Sequence, residues 1–393
     1  MMNCFLPGID VLLQQKRKWL SCKRIGLVSH AAAVDSKGCP SANRLHSETR
    51  LTCLMGPEHG FFGTANAGEL CNDIIHPSWD IPVFSLYGKT RKPTPSMLKN
   101  VDTIVFDIQD LGARPYTFVS TLRYVLEAAS ENNKEVIIAD RPIPLPNITD
   151  GPLTENNFSS FVAMVPSPMS YGMTPGETAL WLKEALSLDL DVKVARMQHY
   201  KRQTERQSDW PPFLPPSPAI VSWESAACFP ATVFCEGLQS IDCGRKTCLP
   251  FQLIGAKWIN GKELAGSLSA QKLPGVEFTP HRYNTRPCTG TPNIVDGIWM
   301  RITDPDRFKP IVTTVSLICS LQELYGTNQV WNKRNTRSEW FDKLFGTDSV
   351  RKALLDGENS KTISARWQKD LAIFNKQRQK HILYHGKPFQ MKV

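Results

Sequence analysis

Five short apolar runs within the first 150 residues, separated by polar or helical segments, constrain this chain more than any other feature. They lie at 24–28, 51–55, 83–86, 103–106 and 136–139. Runs this short, apolar without strict alternation, suit strands buried on both faces, which is the condition inside a parallel sheet covered by helices. The clearest helix between them is 119–129. The expected fold class is therefore α/β, with a Rossmann-like parallel sheet in the amino-terminal part.

Open sheets of this kind bind ligands beyond the carboxyl ends of their strands, so the residues just after each run carry the functional information. Every exit is polar. The first leads to Ser29-His30, the second to Gly56-Pro57-Glu58-His59-Gly60, the third to Tyr87-Gly88-Lys89, the fourth to Asp107-Ile108-Gln109-Asp110 and the fifth to Asp140-Arg141-Pro142. Two acidic exits and one Glu-His exit along one edge of a sheet suggest a reaction centre.

At 393 residues the chain exceeds the roughly 250 to 300 residues at which single cores stop growing, so two units are expected. Proline thickens after residue 140, at Pro142, Pro144, Pro146, Pro211, Pro212, Pro215, Pro216 and Pro218, marking extended loops. We place the transition near 150, with a Rossmann-like domain over 1–150 and a smaller α+β domain over 151–393. The latter is expected to hold helices at 174–188 and 311–325 and strands at 192–196, 275–280 and 297–302.

Several functions are disfavoured. No stretch reaches the roughly 18 to 20 apolar residues of a membrane-spanning helix, so membrane insertion is not expected. The formal charge of +9, with basic clusters at Lys16-Arg17-Lys18 and over 376–392, comes with no nucleic-acid recognition motif, so no nucleic-acid partner is expected. A mild preference for anionic small substrates is the consequence we draw from it. No Gly-x-Gly-x-x-Gly comes after any run, and Gly88-Lys89-Thr90 has Val83 where a phosphate loop needs glycine. There is no His-Glu-x-x-His and no Gly-x-Ser-x-Gly. The 11 cysteines are scattered without Cys-x-x-Cys pairing and the eight histidines lack ligand spacing, so neither metal nor other cofactor is expected. Reduced thiols and the absence of an export-like start point to the cytoplasm, or to the periplasm or exterior if the native start differs.

Glu58 and His59 stand between glycines directly after a buried strand, where backbone approaches a ligand closely and a carboxyl is partly desolvated. Desolvation raises a carboxyl pKa, and a raised carboxyl suits a general acid acting on a glycosidic oxygen. Capping of a following helix is an equal alternative for Glu58. In Asp107-Ile108-Gln109-Asp110-Leu111-Gly112-Ala113-Arg114-Pro115-Tyr116, Asp107 is a candidate second carboxylate. Arg114 is a candidate for a bidentate grip on a substrate carboxylate, and Tyr116 for stacking on or hydrogen-bonding a sugar. The alternative is an Asp-Arg pair that orders the loop, and Asp140-Arg141 carries the same double reading. Thr174-Pro175-Gly176-Glu177 reads as a capping box, which places Glu177 in a structural role.

These residues resemble the NamZ- or YbbC-like exo-β-N-acetylmuramidases, almost end to end. The resemblance is carried by Gly56-Pro57-Glu58-His59-Gly60, Ala67-Gly68-Glu69, Ser85-Leu86-Tyr87-Gly88-Lys89-Thr90-Arg91-Lys92-Pro93-Thr94-Pro95, the stretch 106–116, Asp140-Arg141-Pro142, Gly172-Met173-Thr174 and Pro215-Pro216-Ser217-Pro218. It implies removal of N-acetylmuramic acid from the non-reducing end of peptidoglycan fragments, without nucleotide or metal, in a cleft between two α/β parts. It also implies catalytic roles for Glu58 and Tyr116, and we expect the second charge from the 107–116 loop, with Asp107 the candidate. His59, Asp110, Asp140 and one or more of Arg114, Arg141 and Arg245 fall to binding the sugar and its lactyl carboxylate. The chain departs from the family at Cys243-Gly244-Arg245-Lys246-Thr247, where Glu-Gly-Arg-Gly-Thr is usual, at Gln252 in place of Glu, and at Pro115 in place of an aromatic residue. These departures keep open a second reading, a sugar-binding protein that has lost turnover.

Overall fold

The computed structural model describes residues 4–203, 206–286 and 292–385. Cys288 and the end of the basic tail, from residue 386, lie outside them. Among the described residues no helix is long and apolar enough to cross a membrane.

All five apolar runs are strands of one sheet: β1 (Arg24–Ser29), β2 (Arg50–Gly56), β4 (Pro82–Ser85), β5 (Thr103–Asp107) and β6 (Glu135–Ala139). A two-residue strand, β3 (Ile74–Ile75), adds to one edge antiparallel, and two short strands, β7 (Asp150–Leu153) and β8 (Pro168–Ser170), pair with each other apart from the sheet. A further parallel strand, β9 (Val192–Ala195), completes the order β3-β4-β2-β1-β5-β6-β9. Without β3 this is the doubly wound order in which the chain winds outward from β1, returns, and winds out the other way.

The strands are buried on both faces, and their side chains alternate between two apolar clusters. Ile25, Leu27, Leu54, Val105 and Ile137 pack against Ile9, Leu12 and Leu13 of the helix Gly8–Gln15. Val28, Met55, Ile104, Phe106 and Ile138 face the helix Phe118–Glu131, which buries Phe118, Val119, Leu122, Val125, Leu126 and Ala129 at three- and four-residue intervals.

That second cluster continues without a break through Phe229, Phe251, Ile298 and Phe341 to Phe374. The carboxyl-terminal half is built on three antiparallel strands in the order β10 (Leu253–Ala256), β12 (Ile294–Ile302) and β11 (Val276–Asn284), with the helix Gly261–Ala270 packed on them and the helix Pro310–Tyr325 against that helix. Asp150 carries the join between halves, its carboxylate accepting from the Ile311 and Val312 amides at the start of that helix. Tyr384, near the end of the described chain, donates its hydroxyl to Asp140 at the exit of β6.

The sheet takes its outermost strand from 192–195, which the sequence suggested for the second unit, and one core runs through both halves. The capping box at Thr174 is present, with the Thr174 hydroxyl accepting from the Glu177 amide and the Glu177 carboxylate from the Thr174 amide.

Candidate active site

A cleft of about 1240 Å³ opens where the exits of β2, β4 and β5 face the carboxyl-terminal half. That exceeds the roughly 300 to 1,000 Å³ of most small-molecule pockets, so more than one sugar fits.

Glu58 forms part of its wall and is 9% exposed. The chain leaves β2 through a tight turn that the two flanking glycines permit. A Cβ on Gly56 would lie 2.3 Å from the Phe61 nitrogen, and His59 and Gly60 both adopt left-handed backbone, with φ of 71° and 74°. The turn aims the carboxylate at two donors, the Gly68 amide 2.9 Å from Oε1 and the Thr117 hydroxyl 2.6 Å from Oε2. Glu69, which accepts from the Asn66 amide and side chain, ties the turn that presents Gly68. Glu58 caps no helix, since β2 is followed by turns and then β3.

His59 also lines the cleft, its Nδ1 at 2.9 Å from the Ala65 carbonyl. A carbonyl only accepts, so Nδ1 bears the proton and Nε2 is left as an acceptor in the neutral ring. Tyr116 sits across from them, edge-on to Phe118 and Phe229 at 4.6 and 5.5 Å between ring centres. Its hydroxyl lies beside Ser217 and makes no hydrogen bond of good geometry within the described residues. Burial, aided by the negative charges of Asp110 and Glu58, pushes its pKa well above the usual tyrosine value, so Tyr116 presents a phenol rather than a phenolate.

Two residues that motif reasoning did not single out join this group. Tyr87 and Arg91 come just after β4, and the Tyr87 hydroxyl interacts with both the Glu58 carboxylate and the Arg91 guanidinium. The guanidinium lies over the Tyr87 ring at 5.0 Å and the Phe161 ring at 4.4 Å. Their sequence signals were membership of the long 85–95 motif and, for Tyr87, its place at the polar exit of the third run.

The opposite wall comes from the second half. Arg245 pairs with Glu236 at 2.6 Å, and the Trp340 indole donates to the same carboxylate. Asp242 accepts from the Gly244 amide and the Tyr283 hydroxyl. Cys243, Lys246 and Pro115, three of the departures from the family pattern, all line the cleft, while Gln252 does not.

The remaining expected site residues lie elsewhere. Asp107 and Arg141 form a buried ion pair, 0% and 3% exposed, behind the cleft wall. Asp110 accepts from the Tyr171 hydroxyl at 2.6 Å, and burial pushes its pKa up to about 6 against that bond and the Leu111 and Gly112 amides. Asp140 accepts from Tyr384, Thr174 and the Gly176 amide, and burial with the nearby Glu177 raises it to about 7. Arg114 is fully buried and donates to four carbonyls, those of Pro152, Ser167, Leu344 and Phe345. Burial alone lowers it to about 9. None of these five contributes to the cleft lining. No group of three or more metal-ligating side chains occurs among the described residues.

Two family models match the chain, exo-beta-N-acetylmuramidase NamZ, N-terminal, over residues 25–224 and exo-beta-N-acetylmuramidase NamZ, C-terminal, over residues 227–384. The peptidoglycan beta-N-acetylmuramidase NamZ of Bacillus subtilis (strain 168) is 39% identical over 380 residues, covering 96% of this chain and 91% of that protein. Two DUF1343 family crystal structures from Bacteroides fragilis NCTC 9343 share the fold. One has a TM-score of 0.90 at 32% identity over 98% of this chain and 100% of that one, the other 0.73 at 25% identity over 97% and 99%.

Proposed function

The chain belongs to the NamZ family of exo-β-N-acetylmuramidases, and on that premise we propose how its cleft works. It is a glycosidase that removes terminal β-linked N-acetylmuramic acid from peptidoglycan fragments. In our reading Glu58 is the acid/base residue, and one observation carries this: it is the carboxylate of the sheet exits that reaches the cleft with both oxygens held.

The Gly68 amide can only donate, so Oε1 stays an acceptor. The Thr117 hydroxyl can reverse, so a proton on Oε2 also has a partner. Glu58 thus keeps its place in either protonation state, as proton transfer to the leaving oxygen and back requires. Tyr116, kept neutral, offers an O–H to the sugar, and His59 offers an acceptor. Of the arginines that the sequence nominated for recognition, Arg245 is the one at the cleft, already paired with Glu236. The size of the cleft fits a disaccharide or a muropeptide rather than a free monosaccharide.

The test is chromophore release from para-nitrophenyl β-N-acetylmuramide, beside the matching N-acetylglucosaminide. Glu58→Gln is expected to lower kcat on the muramide by about a hundredfold or more with an unchanged melting temperature. A variant as active as the parent would remove Glu58 from the mechanism.

A further inference from the structure

N-acetylmuramic acid differs from N-acetylglucosamine by one lactyl ether on O3, whose carboxylate is the single charge of the sugar. An enzyme that prefers the former needs a cation within one sugar's breadth of its acid/base residue. Arg114 and Arg141 are excluded by burial and by the bonds they already make, and Arg245 is engaged by Glu236.

The geometry points to Arg91 as the specificity residue that binds the lactyl carboxylate, an assignment that rests on the muramidase reading above. Three observations carry it. Arg91 lines the cleft on the Glu58 side, and the Tyr87 hydroxyl lies near enough to both groups to feel their charges. Its guanidinium is held over the Tyr87 and Phe161 rings, contacts that restrict the side chain while using none of its N–H donors on a carboxylate. Among the described residues it enters no ion pair, although its side chain is exposed. A ring-stacked guanidinium without a carboxylate partner, in the same cleft wall as the acid/base residue, matches a planar two-oxygen ligand in a way the exposed lysines of the rim do not.

The arrangement also gives Tyr87 a defined part. Burial and the Glu58 charge push its pKa above the usual value, while Arg91 opposes that rise. Tyr87 therefore remains a phenol that separates the acid/base carboxylate from the cation, and substrate charge can settle on Arg91 without displacing Glu58.

Arg91→Met and Arg91→Lys test this, with two readouts. The first is kcat/KM on para-nitrophenyl β-N-acetylmuramide and on the glucosaminide. The second is calorimetric binding of free N-acetylmuramic acid and of its lactyl methyl ester, which lacks the charge. Arg91→Met is expected to lose about ten- to a hundredfold on the muramide and on the free acid, with the glucosaminide and ester within about twofold of the parent and melting unchanged. Arg91→Lys keeps the charge but not the fork, and should fall between. Equal losses on charged and uncharged ligands, or no loss on either, would overturn the assignment. If the parent itself released nothing from the muramide, the muramidase reading would fail instead, and acid against ester in the binding arm would still decide for or against Arg91.

Discussion

Two polar regions sit at the same edge of the same sheet, and they differ in whether their charged groups are already paired within the chain. Behind the cleft wall, Asp107, Arg141, Asp140, Asp110 and Arg114 form a knot in which each charge meets a buried partner of this chain, with the Arg114 Nε–H left over. At the cleft, the Tyr116 hydroxyl and the Arg91 guanidinium have bonding capacity to spare. Both regions contain carboxylates, an arginine and a tyrosine. A satisfied network fastens the fold, because buried charges persist only with their partners, whereas an unsatisfied one can exchange partners with a ligand.

The strongest way to break that contrast is Asp107→Ala. It leaves the Arg141 guanidinium buried with Ser41 as its remaining side-chain partner. We expect a loss of about 3 to 5 kcal/mol in urea unfolding, while turnover per folded molecule stays near that of the parent. If the variant unfolds like the parent but releases no chromophore, the knot belongs to the reaction and the division between the regions is wrong.

The sequence nominated residues from both regions because of distance along the chain. A polar strand exit is visible locally, but the groups that cover it are not: the Leu344 and Phe345 carbonyls that occupy Arg114 lie some 230 positions away. Glu58 was legible because its constraint is local, a turn that only glycine at 56 allows. Strands β1, β2, β4, β5 and β6 were equally legible, since continuous apolar runs report two-sided burial without needing partners. By contrast β10 and the helix Ser338–Phe345 are short and neither stood out in the sequence, although both flank the cleft. Arg91 went unnoticed because nothing in its sequence neighbours announces Phe161, seventy positions on, as its stacking partner.

A smaller effect sharpens the open side of the comparison. Tyr116→Phe removes the hydroxyl but keeps the ring against Phe118 and Phe229, so stability should hold. If that hydroxyl meets the sugar, kcat/KM on the muramide falls by roughly three- to tenfold, the worth of one neutral hydrogen bond. Unchanged kinetics would mean that Tyr116 belongs with the packed residues.

His30 stands between the two regions, and its proton tests the boundary most finely. Burial lowers its pKa to about 3, with Arg141 from the knot and His59 from the cleft both opposing the charge. The neutral ring accepts the Gln109 amide on Nε2. In the unfolded chain histidine takes up a proton near pH 6.5, and in the folded chain only near 3, so between those values the unfolded state binds more protons and stability falls as pH falls. Asp110 and Asp140 act with the opposite sign. Their raised values mean that the folded state keeps protons the unfolded chain releases near pH 4, a contribution present below that pH and lost as pH rises through about 6 and about 7. His30→Gln retains an acceptor for the Gln109 amide and removes only the first term. Relative to the parent, the variant should therefore gain as pH is lowered from 6.5 toward 3, by at most about 1.4 kcal/mol per pH unit, read from urea midpoints at pH 7, 5.5 and 4. A difference between the two proteins that stays constant across those pH values would show that His30 titrates alike in both states, and that the seam between knot and cleft is open to water.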